Sequence, residues 1–210
     1  IENGYDLTQL YPDPKSRNLY RKELDVDDAK PLLGMVARYD SQKDHANLLA
    51  ALHQLKVREF QFSCVLVGKN IDWKNVELVD TINRFGLSEN LILLGQVDNI
   101  AKLMNVLDIH VLSSAFGEGF PNVIAEAMAC GVPCVATNVG ESAEIIGVTG
   151  WVVEPRSPTA LAESIITALA KLSSSSWKNR QNQARQRVQT HFEISKMVYR
   201  FHRAWNLNKN

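Results

Sequence analysis

Six short apolar runs rich in β-branched residues mark the chain, at 32–37, 64–68, 91–95, 109–112, 132–136 and 151–153. Each is continuous rather than alternating, the pattern of strands covered on both faces, as in a parallel sheet. Between them the apolar spacing turns helical, at 44–57, 73–85, 99–106, 121–130, 141–146 and 159–172. Strand then helix, repeated about six times, predicts an α/β fold with a doubly wound, Rossmann-like parallel sheet. Ligands of such sheets bind beyond the carboxyl ends of the strands, so chemistry is to be sought in the loops that follow strands.

The two ends depart from this rhythm. Residues 1–30 carry Asn3-Gly4, Pro12, Pro14 and the acidic run 25–28 before Pro31. They read as turns with one short helix near 16–24, a connection into the domain at 31–172. Asp25-Val26-Asp27 matches a two-aspartate metal motif in form, but it precedes a proline instead of following a strand and reads as solvated linker. Beyond the break at Ser173-Ser174-Ser175-Ser176, residues 173–210 hold a second helical stretch. Val188, Phe192, Val198, Phe201 and Trp205 share roughly one face of it, and Lys196, Arg200 and Arg203 another, which makes an amphipathic helix in need of a surface.

Composition narrows the class. With 210 residues, 45% hydrophobic and 22% charged, the chain can bury a core without disulfides, which excludes a disordered tail, a rod and a disulfide-stapled mini-protein. No apolar run approaches the roughly 20 residues that cross a bilayer, and Ile1 opens no signal-like segment, so a cytoplasmic, unexported chain is expected. Cys64, Cys130 and Cys134 read as reduced thiols; the last two lack the partner pair of a zinc site, and no metal is expected. The formal net charge of zero hides an asymmetry. From Ser173 onward eight Lys or Arg (Lys178, Arg180, Arg185, Arg187, Lys196, Arg200, Arg203 and Lys209) face one acid, Glu193, so a tail of +7 follows a body of −7.

Two loops carry candidate chemistry. The segment 113–131 follows the run 109–112, passes through Gly117-Glu118-Gly119, and enters a helix with Pro121 at its first turn and Gly131 just past its end. Asn122 and Glu126, four apart, share one face of this otherwise apolar helix. A carboxylate there needs a partner or a crevice, because burying it unpaired is costly. The helix's first N–H groups can cradle an anion or hydroxyls. The plainer alternative pairs Glu126 with a core arginine and leaves Glu118 as ordinary loop. After the run 32–37, Arg38 and Lys43 flank a turn, with Asp44 as the cap of the next helix. Two cations at a strand end suit a diphosphate, Arg as a planar fork and Lys as a mobile point charge; the alternative is a solvated loop. No G-x-G-x-x-G, P-loop, zinc signature or G-x-S-x-G elbow is present, and Ser113-Ser114 has no telling histidine partner.

Together these residues resemble a known family. Glu118 and Glu126 within Glu118-Gly119-Phe120-Pro121-Asn122 and Glu126-Ala127-Met128-Ala129-Cys130-Gly131 look like the signature of retaining GT-B glycosyltransferases of family 4. Arg38 and Lys43 are similar to that family's diphosphate clamp, and Asn3-Gly4-Tyr5-Asp6 to the start of its interdomain linker. Leu94-Gly95-Gln96-Val97, the stretch 108–114, Thr137-Asn138-Val139-Gly140 and Gly150-Trp151-Val152-Val153 fall in the family's order. Gly68-Lys69-Asn70 departs from it, where the family often has Gly-x-Gly.

The resemblance implies the C-terminal lobe of a two-lobed enzyme that binds a nucleotide-sugar. Arg38 and Lys43 would hold the diphosphate, Glu126 the ribose, and Glu118 the transferred sugar. Backbone at Phe120, Pro121, Asn122 and Val123 would line sugar and phosphate, and Gly95 to Val97 would meet the base. Transfer would proceed on the front face, with the departing diphosphate helping to deprotonate the acceptor, and without cofactor or metal. UDP is the expected nucleotide, and a hexose or N-acetylhexosamine the expected sugar, in surface-polysaccharide assembly. The absent N-terminal lobe, about 150 to 200 residues on the usual size of a domain, would meet the C-terminal helix and supply the acceptor site, so this chain alone would have little transferase activity. A sugar-nucleotide epimerase of related architecture and a non-catalytic nucleotide-binding module are the competing readings. The basic helix is open to three: a solvated face, a dock for the missing lobe, or a peripheral contact with anionic lipid at the inner membrane face. Nucleic-acid binding is not expected, since no aromatic stacking platform accompanies the charge.

Overall fold

The computed structural model describes residues 1–207 and contains the doubly wound sheet. Strands β1 (Leu32–Val36), β2 (Ser63–Val67), β3 (Leu91–Leu93), β4 (Ile109–Leu112), β5 (Cys134–Thr137) and β6 (Trp151–Val153) are all parallel, in the order β3-β2-β1-β4-β5-β6. The chain starts in the middle at β1, winds out to β3, and returns to β4 on the other side of β1. The order therefore reverses between β1 and β4, and a crevice opens at their carboxyl ends. The inner strands are buried along almost their whole length, whereas the edge strand β6 is half-buried throughout. Continuous apolarity in the sequence reports that double coverage.

Helices supply the two layers. On one side α2 (His45–Val57) packs against α3 (Val76–Arg84) and α7 (Pro158–Leu169). On the other, α4 (Ile100–Val106) and α5 (Asn122–Ala129) pack together, α4 against α1 (Pro14–Glu23) and α5 against α6 (Ser142–Ile146) and α8 (Trp177–His191). A last helix, α9, runs Ile194–Leu207. Among the described residues no helix is long and apolar enough to cross a membrane. The three thiols are free and buried, and burial pushes each of their pKa values up, that of Cys130 to about 12.

Several expected boundaries move for local reasons. β5 begins at Cys134, two residues late: Gly131 turns left-handed (φ 76°) after α5, and Pro133, with no N–H, contributes only its carbonyl, 3.1 Å from the His110 N–H. α3 begins at Val76 because the Asn75 side chain caps it on the Leu78 N–H at 3.2 Å. The stretch after Ser176, expected as one helix, is two. The chain leaves helical geometry at Phe192 (φ −126°), where Tyr5 inserts its backbone, its N–H donating to the Phe192 carbonyl and its carbonyl accepting from the Ile194 N–H. Val188 and Phe192 are accordingly buried, while Val198, Phe201 and Trp205 on α9 are exposed. Lys209 lies outside the described residues.

The acidic run 25–28 closes α1 onto the sheet. Asp25 takes the left-handed turn, Val26 is buried, Asp27 accepts from the Ala29 N–H, and Asp28 pairs with Arg21.

Candidate functional site

The loop after β1 carries the first part of the site. Asp44 adopts a left-handed conformation (φ 48°) and caps α2 by accepting from the Asn47 N–H, which turns the preceding residues over the carboxyl ends of the strands. Arg38 is exposed and reaches Asp40 at 3.3 Å and the Gln42 side chain at 2.9 Å. The Gln42 N–H and Arg38 hold the Asp40 carboxyl below the usual carboxylate range. Burial and the nearby Lys43 ammonium lower the His45 pKa to about 4, so this imidazole is neutral under the loop that follows β1.

The loop between β4 and α5 faces it. Glu118 is not ordinary loop: it accepts from Lys43 Nζ and, at 2.5 Å, from Ser114 Oγ. This ion pair is shielded, with 8% of the Glu118 side chain and 14% of the Lys43 side chain exposed. Gln42 ties the two loops together, donating through Nε2 to the Gly117 carbonyl while its own carbonyl accepts from the Ala115 N–H, both at 2.8 Å. Behind Glu118, Gly140 has φ 58°, and a Cβ there would stand 2.3 Å from the Glu118 carbonyl oxygen; only glycine allows that approach. Thr137 Oγ1 donates to the Ser114 carbonyl at 2.6 Å. Strands β4 and β5 thus hold Glu118 from two sides.

α5 presents its N-terminus beside this pair. Its N-cap is Pro121, whose side chain offers no hydrogen bond, so the first N–H groups have no side-chain cap and carry the positive end of the helix dipole. At the other end Arg185 donates to the Ala129 carbonyl. Glu126, one turn into the helix, is half-buried, and burial raises its pKa. Among the described residues it forms no salt bridge, which removes the core-arginine alternative. Asn122 Oδ1 accepts from Asn3 Nδ2 at 2.8 Å and from Tyr5 Oη at 2.7 Å. Phe120 is stacked on Tyr5 and edge-on to Phe192. Val123 is half-buried against the core.

The remaining candidates lie two strands away. Gly95, left-handed at φ 65°, follows β3 and is fixed by its N–H to the Ile71 carbonyl and its carbonyl to the Gly68 N–H, at 2.8 and 2.7 Å. Val97 packs half-buried against the core. The structure therefore gathers Arg38, Lys43 and Glu118 with the start of α5 at the ends of β1 and β4, and sets Gly95 and Val97 toward the β3 edge of the same rim. Ser114, Gln42 and Tyr5 hold the site residues in place, and sequence pattern alone gives none of them that role. Ser114 has no telling histidine partner in the sequence, and Gln42 and Tyr5 carry no signal of their own before the fold brings their partners near.

A parallel sheet with reversed strand order, a carboxylate–lysine pair and a helix N-terminus at the reversal is a fold with a site, and comparison with known proteins places it. The profile of the glycosyl transferases group 1 family matches residues 30–171. The chain belongs to that family. N-acetyl-alpha-D-glucosaminyl L-malate synthase of Bacillus anthracis is 28% identical over 198 residues, 93% of this chain and 48% of that protein. The lipopolysaccharide core biosynthesis mannosyltransferase LpsB of Rhizobium meliloti (strain 1021) is 28% identical over 150 residues, 70% of this chain and 42% of that one. Among solved structures, Anabaena Alr3699/HepE in complex with UDP and glucose superposes with a TM-score of 0.86 at 26% identity, over 100% of this chain and 56% of that one. The chain spans about half the length of these proteins. It corresponds to the C-terminal domain of a group 1 glycosyl transferase, with the GT-B type of Rossmann-like sheet.

Proposed function

We propose that this group 1 glycosyl transferase domain is the donor-binding half of a retaining, family 4 enzyme. It holds a UDP-sugar and, with an N-terminal lobe, transfers a hexose or N-acetylhexosamine to a lipid-linked or saccharide acceptor in surface-polysaccharide synthesis on the cytoplasmic side. The observation that carries this reading is the Lys43–Glu118 pair set beside the uncapped N-terminus of α5. A lysine against the diphosphate and a carboxylate against the sugar hydroxyls are the two contacts such a donor needs, and here one ion pair supplies both groups. The relative solved with UDP and glucose supports the choice of nucleotide, and the lipopolysaccharide mannosyltransferase the setting.

In this reading Arg38 and Lys43 neutralise the diphosphate as the anomeric C–O bond breaks, and the α5 N–H groups share the charge. Such preorganised positive charge near a leaving group is where stabilisation counts most. Glu126 accepts from the ribose hydroxyls, Glu118 from the transferred sugar, and backbone at 95–97 meets the base. A phosphoryl oxygen of the departing diphosphate takes the acceptor hydroxyl proton on the front face, so Glu118 forms no bond to the sugar. Arg38 and Lys43 provide the charge a metal would otherwise bring.

Calorimetry with UDP, GDP and ADP tests the reading. UDP is expected to bind most tightly, and Lys43→Ala to weaken it at least about tenfold, the weight of a charge-assisted hydrogen bond. Unchanged affinity in Lys43→Ala overturns the clamp. Brisk transfer to an acceptor by this chain alone overturns its reading as a half enzyme.

A further inference from the structure

A cavity lies at the opposite end of the sheet from the candidate site. Its volume is about 550 Å³, in the range of small-molecule sites, and it reaches Pro31 and Asp108, the residues before β1 and β4, and Gly131 just past α5. Pro12, Pro14, Leu172 and Trp177 give it apolar surface. The charged groups around it are unequally committed. Each carboxylate in the lining already holds donors of the chain: Asp13 accepts from the Lys15 and Ser16 N–H groups as the cap of α1, Asp28 from Arg21 at 3.0 Å, and Asp108 from Arg17, Arg21 and the Leu32 N–H. Arg17 and Arg21 are taken up by these carboxylates and by backbone carbonyls. Two lysines are not. Lys30, from the connection into β1, and Lys178, from the first turn of α8, both line the cavity, and neither has a carboxylate partner among the described residues. Trp177 beside them is 9% exposed, and its indole N–H, which donates to no acceptor of the chain among the described residues, is not sealed in the core.

From this arrangement we infer that the cavity is a binding site for a small organic anion, a phosphate monoester carrying an apolar group. Lys30 and Lys178 bring positive charge that no carboxylate of the chain answers. An ammonium is a compact point charge with three donors, which suits phosphoryl oxygens. Trp177 and the prolines supply a surface for the apolar part of the ligand. A cation would meet two ammonium groups with every lining carboxylate engaged, and a neutral ligand would leave both lysines unanswered. The site is separate from the crevice at the carboxyl ends of β1 and β4 and does not depend on the donor-site reading there.

Phenyl phosphate is the probe, titrated into the parent chain and followed by calorimetry and by the NMR signal of the Trp177 indole N–H, with inorganic phosphate and benzyl alcohol as its two halves. It is expected to bind saturably with a Kd of about 1 mM or below, to shift the Trp177 signal, and to bind more tightly than either half. Lys30 is half-buried and Lys178 exposed, so Lys30→Ala and Lys178→Ala are expected to melt with the parent. Each is expected to weaken the probe about fivefold, the weight of an exposed charge pair, and the two together about twenty-five-fold. Lys178→Glu is expected to weaken it more than Lys178→Ala does. Excess UDP is expected to leave the binding unchanged. Undiminished binding by the double variant, or displacement by UDP, places the probe elsewhere and overturns the inference. Inorganic phosphate that binds as tightly as phenyl phosphate removes the apolar part of the ligand, benzyl alcohol that does so removes the anion, and either result overturns it as well. So does the absence of saturable binding by phenyl phosphate up to about 10 mM.

Discussion

Both ends of the sheet carry an arginine–carboxylate cluster, and the two clusters are used differently. At the amino ends of β1 and β4, Arg21 is 4% exposed and donates to Asp28, to Asp108 and to the carbonyls of Val106, Asp27 and Lys30. Arg17 donates to Asp108 at 2.6 Å and to the carbonyls of Asn105, Val106 and Leu107, and Asp108 accepts in addition from the Leu32 N–H at 2.7 Å. The donors there are spent on the chain's own acceptors. At the carboxyl ends, Arg38 is 54% exposed with one long ion pair, Lys43 has Glu118, and the start of α5 has no cap. Hydrogen-bonding capacity that is saturated internally fastens the chain to itself. Capacity left over, on an edge held rigid by β4 and β5, is available to a ligand.

Replacing the arginine of each cluster separates the two roles. Arg21→Ala leaves buried carbonyls and Asp108 short of a donor, and is expected to cost about 3 to 5 kcal/mol, as for other buried pairs broken on one side. Arg38→Ala is expected to change stability by less than about 0.5 kcal/mol while weakening UDP binding. Urea unfolding of both variants measures the contrast. A loss below about 1 kcal/mol for Arg21→Ala would show that the amino-end network is not the fastening it resembles.

Acid should attack the carboxyl-end side through histidine. His45 titrates near pH 4 in the folded chain against about 6.5 when unfolded. Between those values the unfolded state binds more protons, so stability falls as pH drops through that window and is fully present above it. At pH 5 the difference amounts to roughly 2 kcal/mol for His45. His110 acts in the same direction: wholly buried with no hydrogen-bond partner for its ring among the described residues, it is lowered to about 3. Urea midpoints at pH 7 and pH 5 are therefore expected to fall further for the parent than for His45→Gln. Equal falls would place the acid sensitivity elsewhere, on His110 or the carboxylates.

Much of the carboxyl-end site could be read before the fold, and almost none of the amino-end network. Glu118, Glu126, Arg38 and Lys43 each sit at a fixed offset from a strand end or a helix start, so local pattern locates them. Their relation is another matter. That Lys43 meets Glu118 follows from β1 and β4 being neighbours, which is a property of strand order. Arg21 and Asp108 are 87 positions apart and come together only through the same adjacency, so nothing near either residue announces the pair. The break between α8 and α9 was illegible for the same reason: the apolar spacing runs on through Phe192, and it is Tyr5, from the far end of the chain, that interrupts it. The six strands were legible because double burial leaves continuous apolar runs.

Asn70 shows how a departure from family pattern can keep the geometry that pattern encodes. The turn after β2 brings Gly68 against the strand end, where a Cβ would lie 2.2 Å from the Ala37 carbonyl oxygen, and then requires a left-handed residue at position 70, φ 62°. Glycine meets that demand freely. Asparagine is among the few other residues that tolerate it, and here its carbonyl is further held by the Asn75 side chain at 2.8 Å. Asn70→Gly is therefore expected to stay within about 0.5 kcal/mol of the parent, strain relieved in the folded chain being offset by freedom gained in the unfolded one. Asn70→Ala is expected to cost about 1 kcal/mol, or about 2 to 4 °C in melting temperature for a chain of this size. Because this turn lies on the rim shared with Gly95 and Arg38, UDP affinity should follow stability in the two variants, nearly unchanged in the first and slightly reduced in the second. An alanine variant as stable as the parent would show that the left-handed turn is not a constraint at all, and that the departure at position 70 has no conformational meaning.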